Sequence, residues 1–495
     1  MKVALINPPI AFTSSQLETG VTPPLSMMYI SSYLKQHNID VTLIDSVPED
    51  PNNVYKVDKN YFGRGLSFEK ILEKIPKDTV VIGIANLFSV TFPLILKLAA
   101  FLKHNLNKPI VIGGAHVSAT AKDVLKDKNI DFVVLGEGEE TMLELYKAIL
   151  KGNGFENISG LGYKKNAEII INPKTSFIEN IDSLPFPDRD SINMDKYFEI
   201  NESHGAAHKK WTPILTSRGC PYSCTFCTSK LWGKRWRARS AKNVVDEIEH
   251  CIKKYGIKEF HFEDENLTLK KERIISICDE ILRRNIKISW QTPNGIRASV
   301  TDREILEKMK KSGCYHITVA PESGSEFVLN DIMNKQQDLQ KIVNIVKDAT
   351  SLKLKVAAYF MMGLPGERIK DVIKTIMFGG KLARMGLDEV YFGHFVPLPG
   401  SELYEKLKAK NMIPEDYKGV SEIMVSYSEF ISDKKFLLLN SSAYLWFYFN
   451  RVIFHPIKLS FSIFNLISGN ETLKTERAIR VILKRLMKKL TSVIP

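Results

Sequence analysis

The sequence predicts an α/β protein in three parts: an N-terminal Rossmann-like domain, then a partial (β/α)6 barrel, then a helical C-terminal region. Three observations predict it. Short β-branched and apolar runs alternate with amphipathic stretches of helical period, in two successive series. A stretch punctuated by glycine and proline separates the two series. Past the second series the apolar spacing is helical only. The expected boundaries are residues 1–150 for the first domain, 151–212 for a linker, 213–405 for the barrel and 406–495 for the helical region.

In the first series, Val3–Ile6, Val41–Ile44, Val80–Ala85, Ile110–Ile112 and Phe132–Leu135 read as buried strands, and Leu25–His37 has helical spacing. A doubly wound parallel sheet binds ligands beyond the carboxyl ends of its strands. Those ends carry Asn7-Pro-Pro, Asn86-Leu-Phe-Ser-Val, Gly113-Gly-Ala-His and Gly136-Glu-Gly-Glu. Gly113 and Gly114 would let a ligand approach the backbone closely. No GxGxxG opens this domain, so a dinucleotide is not expected. The linker holds Gly152, Gly154, Gly160 and Gly162 in a hairpin-like piece, then IDSLPFPDRD, an extended connector.

In the second series, strands are expected at Pro213–Ser217, Glu259–Phe262, Ile288–Gln291, Tyr315–Ala320, Lys355–Met361 and Glu389–Phe395. Helices are expected at Asn243–Tyr255, Arg273–Arg284, Asp302–Ser312, Leu339–Leu352 and Ile369–Met385. Parallel barrels carry their chemistry at the C-terminal ends of the strands. Every such end here is polar or glycine-rich.

The first of those ends runs Arg218-Gly-Cys-Pro-Tyr-Ser-Cys-Thr-Phe-Cys, with Cys220, Cys224 and Cys227 within eight residues. Three thiolates on one short loop can hold an iron–sulfur cluster or a zinc ion. A closed zinc site wants four ligands, and Cys251, Cys278 and Cys314 stand alone. Three ligands on a [4Fe-4S] cluster leave one iron open to a small molecule.

Composition sets broad limits. Hydrophobic residues make up 44% and charged residues 25%, ordinary for a globular protein. The net charge of +13 invites a nucleic-acid reading, but no such binding motif is present and no nucleic-acid partner is expected. The chain opens on a short strand rather than a signal peptide. Six cysteines without an even framework point to a reducing, cytoplasmic setting. No run reaches the ~18 uncharged apolar residues of a spanning helix.

CxxxCxxC after a first strand, with Phe226 before the last Cys, resembles the radical SAM superfamily. The resemblance implies that the three cysteines ligate a [4Fe-4S] cluster. The open iron takes the amino and carboxylate groups of S-adenosylmethionine, and one electron cleaves the sulfonium to a 5′-deoxyadenosyl radical. It places cofactor contacts at Phe226, at Asp264 near the methionine amino group, and at Arg297 on the carboxylate. Glu322 and Ser323 in PESGS would meet ribose or amino group, and the turn Gly363–Gly366 would lie under adenine.

PPLSMMYISSYL (Pro23–Leu34), GGAHVSA (Gly113–Ala119) and GEGE (Gly136–Glu139) resemble, in order, the cobalamin-binding domain that precedes many radical SAM barrels. The resemblance implies contacts from Leu87, Ser89, Val90, Gly113, Gly114, His116, Glu137 and Gly138. No His has an Asp two residues before it, so the cobalt-ligating DxHxxG motif is absent. Leu87–Val90 would face the lower side of the corrin. His116 is expected to bond backbone or touch the cofactor's tail rather than ligate cobalt.

The whole then resembles a cobalamin-dependent radical SAM enzyme that methylates an unactivated carbon. The alternatives are a cyclase or rearrangement enzyme without methyl transfer, and a non-catalytic membrane or nucleic-acid binding protein. The implied partners are a small-molecule substrate, hydrophobic or lipid on the hint of the aromatic tail, and an electron donor such as flavodoxin or ferredoxin. Lys234–Arg239 (KRWRAR) looks like a nucleic-acid patch, but contacts to cofactor or to a domain interface are expected. In the tail, Phe436–Phe449 is aromatic and uncharged, and Ala478–Leu490 is a basic amphipathic helix. Two readings stay open for it: peripheral contact with the inner face of a membrane, or packing over the barrel's open side.

Overall fold

The structure is a computed structural model that describes residues 1–13, 20–59, 61–203, 205–414, 417, 425–468, 473, 475–476 and 479–480. Backbone contacts divide the chain into two compact units. One is Met1–Ile200 with Phe226–Arg237 and Pro397–Glu422; the other is Asn201–Thr225 with Ala238–Val396 and Ile423–Pro495.

The first unit is built on a seven-stranded sheet. In spatial order its strands are Glu168–Ile171, Leu161–Lys165, Phe132–Val134, Ile110–Gly113, Thr79–Ala85, Lys2–Asn7 and Asp40–Asp45. The last five are the expected parallel strands. Val3, Ala4, Leu5 and Ile6 are all buried, as a strand covered on both faces requires. The first strand in sequence lies between the second and the third. The direction of winding therefore reverses beside Lys2–Asn7, and the reversal opens a crevice at the strand ends.

Two features here were not legible in the sequence. The hairpin Leu161–Ile171 is not only a connector: it adds two antiparallel strands to the sheet. Gly162 makes that approach possible, because a Cβ there would meet Val133 Cγ2 at 2.6 Å and Ile171 Cδ1 at 2.7 Å. A small antiparallel sheet of Ile10–Thr13, Tyr61–Arg64 and Val54–Asp58 also stands beyond the end of the first strand.

The second unit is a six-stranded, all-parallel sheet whose strands follow sequence order: Trp211–Ile214, Glu259–Phe262, Ser289–Ile296, Cys314–Glu322, Lys355–Met362 and Glu389–His394. The first and last strands do not pair, so the barrel is open, as expected. Helices Ala241–Tyr255, Lys271–Arg283, Arg303–Lys311, Leu339–Ser351 and Ile369–Arg384 separate the strands. Their apolar stripes face the sheet, as with the buried Ile305, Leu306 and Met309. Ser240 and Asp302 cap two of them at the N-terminus. The first strand corrects the expectation of Pro213–Ser217. It ends at Ile214, and Ser217–Arg218 leaves the barrel sheet. Pro213 sits comfortably there because the strand is at an edge.

The C-terminal helix Asp433–Phe454 lies along the other edge strand. Asn440 Nδ2 donates to Phe392 O at 2.8 Å, and Phe392 N donates to Tyr444 Oη at 3.0 Å. Arg451 donates to Asp388 O. These side chains occupy backbone groups that an open edge leaves unpaired. Phe436, Ala443 and Phe447 are buried beneath. Packing on the barrel is therefore the observed arrangement for one face of the aromatic run. Helix Pro456–Ser468 follows it with no buried residue. The basic stretch Ala478–Leu490, apart from residues 479 and 480, lies outside the described residues.

Removing the edge cap should show in stability. Asn440→Ala leaves Phe392 O buried without its donor and should cost about 1–3 kcal/mol, and Tyr444→Phe should cost a similar amount. Chemical denaturation of the two variants measures it; unchanged midpoints would mean that the edge does not depend on these side chains.

Candidate functional site

The cysteine loop is placed by a buried carboxylate. Asp264, at the end of the second barrel strand, accepts from Thr216 N at 3.2 Å, from Thr216 Oγ1 at 2.7 Å and from Ser217 Oγ. It is almost fully buried, so these three bonds replace its hydration. They turn the chain out of the first strand toward Gly219, whose φ of 83° suits a residue without Cβ. Asp264 was expected to meet the methionine amino group; its carboxylate instead holds the root of the loop. Farther along, Thr225 N donates to Met333 O at 2.9 Å and Thr225 Oγ1 to Ile332 O at 2.7 Å.

The six thiols fall into two classes. Cys220, Cys224 and Cys227 are partly exposed, and Cys251, Cys278 and Cys314 are buried. Burial pushes the Cys278 thiol up to about 12 and raises that of Cys314 as well. Thiolate is the metal-ligating form, so Cys278 and Cys314 are poor ligands. N–H groups already approach the loop sulfurs: Asn266 Nδ2 lies 3.9 Å from Cys220 Sγ, and Ser229 N donates to Cys227 Sγ at 3.4 Å. Bonds of this kind tune iron–sulfur clusters. Among the described residues no three His, Cys, Asp or Glu side chains stand close enough to hold a metal ion by themselves. The donor chemistry suits a cluster: three accessible sulfurs, with N–H donors at two of them.

The strand ends around the loop form a connected set. The Arg297 guanidinium lies 3.5 Å from the Tyr222 ring centroid, within the loop. Arg297 Nε donates to Ser299 Oγ at 2.9 Å and Nη2 to Lys335 O at 2.6 Å. Lys335 Nζ reaches Ala320 O and Glu322 Oε1, each at 2.7 Å. Glu322 takes a φ of 65°, unusual for a residue with a side chain, where the pairing of the fourth and fifth strands shifts register. Arg297 and Glu322 thus sit at the strand ends as expected, but held by protein partners. Ser323 does not fit its expected role. It is fully buried, with Oγ 3.0 Å from Thr375 Oγ1 on the helix behind. Gly363 and Gly366 both have positive φ, which makes the tight turn. Glu367 Oε2 accepts from Gly363 N at 2.6 Å and Leu364 N at 3.2 Å; burial pushes this carboxyl up to about 7. Tyr222, Lys335 and Glu367 were missed. Lys335 sits in a loop with no periodic signal, whereas Glu367 directly follows the glycine turn and was within reach.

In the first unit, the crevice beside the first and third strands carries the stretch Asn86–Val90. Leu87 is 56% and Phe88 64% exposed, unusual for adjacent large apolar residues at a strand end. Asn86 is fully buried; Nδ2 donates to Phe88 O at 2.9 Å, while Oδ1 has no partner among the described residues. Gly114, with φ of 129°, packs on it so closely that a Cβ would lie 2.3 Å from Asn86 O. Gly113 lies in the fourth strand against Val134. Val90 O accepts from the Tyr61 hydroxyl, so the small sheet braces this loop. An apolar platform, an orphaned acceptor and a glycine cradle suit a flat, amide-bearing ligand.

His116, expected to bond backbone or touch the cofactor's tail, bonds a side chain. It lies in the first turn of helix Ala115–Val124, its Nδ1 2.8 Å from Ser89 Oγ and its ring 4.7 Å from that of Phe92. Burial lowers its pKa to about 4, so it is neutral. Glu137 was expected on the cofactor. Instead it forms a buried bidentate pair with Arg237, at 2.7 and 2.9 Å, and accepts from Ile178 N at 3.2 Å. Gly138 lies 3.0 Å from Ile30 Cδ1 by its would-be Cβ. Arg239, in the same basic run, is buried in a pair with Glu247. Two of the three arginines of the run are thus turned inward, away from any nucleic acid.

Residues 214–379 match the radical SAM superfamily and residues 19–146 the B12 binding domain family. A methyltransferase of Pyrococcus horikoshii is 32% identical over 457 residues, spanning 90% of this chain and 92% of its own. The cytidylyl-2-hydroxyethylphosphonate methyltransferase of Streptomyces wedmorensis is 31% identical over 457 residues, spanning 84% and 83%. The anaerobic magnesium-protoporphyrin IX monomethyl ester cyclase of Rubrivivax gelatinosus is 27% identical over 437 residues, spanning 86% and 73%. Among solved structures, the radical S-adenosylmethionine methyltransferase TsrM from Kitasatospora setae shares the fold, with a TM-score of 0.66 at 17% identity over 82% of this chain and 76% of its own.

The two classes of thiol lead to opposite expectations. Alanine at Cys220, Cys224 and Cys227 together should abolish bound iron and absorbance of the reconstituted protein near the thiolate-to-iron charge-transfer bands. Alanine at Cys251, Cys278 and Cys314 should leave both. Iron lost from the second variant while it remains folded would refute the division.

Proposed function

We infer function from a membership that the 32% identity over nearly the whole chain establishes: this chain belongs to the radical SAM superfamily, in the group that carries a B12-binding domain. It is a cobalamin-dependent radical SAM enzyme of the methyltransferase kind, and it acts on a small molecule. We propose that it methylates an unactivated carbon of a hydrophobic or lipid substrate. The observation that carries the reading is the occurrence, in one chain, of the three-cysteine loop at the first strand end of an open barrel and of a B12-type sheet before it. The bound cluster, S-adenosylmethionine and cobalamin supply the one-electron and methyl-transfer chemistry.

The chain's own residues bind, orient and shield. Cys220, Cys224 and Cys227 are the proposed cluster ligands, on a loop whose root Asp264 fixes. Arg297, carrying positive charge over Tyr222, is the proposed partner of a carboxylate near the open iron. The turn Gly363–Gly366 offers backbone to a flat base, and Glu322 offers a carboxylate oxygen beside Lys335. In the first unit Leu87, Phe88 and Val90 form the apolar floor, Ser89 holds His116, and Gly113 and Gly114 allow close backbone approach. The proposed domains are 1–150 for cobalamin, 151–212 for the linker, 213–405 for the barrel and 406–495 for the C-terminal region. A flavodoxin or ferredoxin is the proposed electron donor, and peripheral membrane contact through the C-terminal region is proposed as well. The cyclase relative keeps a second reaction type in view, but methyl transfer is favoured because two relatives above 30% identity are methyltransferases.

Anaerobic incubation of the reduced holoenzyme with cell extract and methyl-labelled S-adenosylmethionine tests the reaction. Label should appear on carbon in an extractable product; a product changed in ring structure or oxidation level without label would select the cyclase reading.

The neutral, Ser89-bonded His116 yields a second expectation. The paramagnetic resonance spectrum of the reduced cobalt(II) form should lack splitting from an imidazole nitrogen, and His116→Ala should not change it. A nitrogen splitting that disappears in His116→Ala would show that the ring does reach cobalt.

A further inference from the structure

The helix Ile369–Arg384 and the C-terminal helices Asp433–Phe454 and Pro456–Ser468 carry an outer surface that the reaction does not use. Helix 369–384 buries one face on the barrel but exposes Ile369, Ile373 and Met377, spaced four residues apart along one line. Helix 433–454 lies beside it: a Cβ on Gly380 would meet Trp446 Nε1 at 2.2 Å. That helix exposes Leu438, Leu445 and Phe449, and helix 456–468 exposes Ile457, Phe461 and Phe464. Scattered apolar side chains on a surface need no explanation, but a run along three neighbouring helices marks an interaction face.

The exposed charge on this face is mostly basic; the exposed acid of helix 433–454 is Asp433, at its first position. On helix 369–384 the exposed charged residues are Lys370, Lys374, Lys381 and Arg384, while its single acid, Asp371, is buried. From Lys434 to Asn470 the sequence has no acidic residue. Lys434 and Lys435 are exposed in the first turn of helix 433–454, while Arg451 and Lys458 point inward: Arg451 donates to Asp388 O, and Lys458 Nζ reaches Gly386 O at 2.8 Å and Asp388 Oδ1 at 3.0 Å. The chain beyond, residues 469–495, adds seven basic residues against two acidic ones. An apolar face rimmed mostly by cations is complementary to an anionic lipid surface. It is not complementary to itself. A two-fold dimer through it would bring lysine rims together, and the basic segment 478–490 of the same chain would meet the same repulsion. No described helix is long and apolar enough to cross a membrane, so the face would lie in the plane.

We propose that the outer face of helices 369–384, 433–454 and 456–468 docks the enzyme on an anionic membrane surface. The proposal rests on the peripheral contact proposed above but assigns it to the side of the barrel. The face reaches the catalytic end of the barrel, where Phe436 packs 3.2 Å from the would-be Cβ of Gly363 and Leu437 and Leu438 are exposed. An amphiphilic substrate would then be delivered beside the strand ends.

Co-sedimentation of the full-length holoenzyme with phosphatidylcholine vesicles, with and without phosphatidylglycerol, tests this. Wild type should pellet with the phosphatidylglycerol vesicles and be released as salt rises. Ile373→Glu and Phe461→Glu should each weaken partitioning about tenfold or more, and Lys370→Gln with Lys374→Gln about fivefold per lysine. All of these positions are exposed, so iron content, corrinoid content and S-adenosylmethionine cleavage in solution should stay at wild-type levels. Those readouts separate failure of the docking face from failure of the enzyme assignment. Wild type left in the supernatant with anionic vesicles would overturn the proposal. So would a dimer that Ile373→Glu converts to monomer, since a second copy would then cover the face. Release by neutralising Lys484, Arg485, Lys488 and Lys489 with no effect of Ile373→Glu would overturn it too.

Discussion

The buried carboxylate of Asp264 is the constraint on which the barrel's reactive end depends. It takes two side-chain hydroxyls and a backbone N–H from consecutive residues, Thr216 and Ser217. A carboxylate placed in a protein interior must find such partners or lose its charge. The same bonds that satisfy it also end the first strand and aim the next ten residues outward. Loop sulfurs need to be accessible and deprotonated, and a loop rooted in the core gives access without disorder. Thr225, bonded to Ile332 O and Met333 O, pins the loop a second time. The three remaining cysteines show the contrast: they are buried, and burial raises the thiols of Cys278 and Cys314.

Around this root the strand ends work as a set rather than as separate contacts. Arg297 over Tyr222, the Lys335 carbonyl, and the pair of Lys335 with Glu322 run across three strand ends. Each member holds the next in a geometry that a long side chain would not keep alone. Preorganisation of this kind matters where a ligand must be oriented within hydrogen-bond distance. In the first unit the bidentate pair of Glu137 and Arg237 plays a comparable part, tying GEGE to the segment that follows the cysteine loop. Removing either partner would leave a buried charge, so the pair is structural rather than ligand-binding.

The C-terminal helix 433–454 has two unlike faces. One face of helix 433–454 closes the open edge of the barrel with Asn440 and Tyr444, a job that an open sheet must give to something. The opposite face stays apolar and exposed. The aromatic run of the tail is hydrophobic on nearly every side, and a helix of that composition needs two apolar environments. The barrel edge provides one of them.

Local patterns in the chain were enough for the fold class, the five parallel strands of the first unit and the six of the second, and they singled out the three loop cysteines proposed as cluster ligands. These follow from local signals: period-two and period-3.6 apolar patterns, glycine turns, and a spacing of thiols that serves few purposes. They also placed Arg297, Glu322, Gly363 and Gly366 at strand ends, since the end of a run is visible in the run itself. Tertiary structure alone decided what those side chains touch. Nothing local distinguishes Ser323, turned back onto Thr375, from a residue turned to the ligand. Nothing local predicts that Glu137 meets an arginine one hundred residues later, or that Lys335 holds Glu322. Periodicity records whether a position is buried, because burial repeats with the geometry of one element. The partner of a buried polar group is set by where other elements arrive, and that information is distributed over the whole chain.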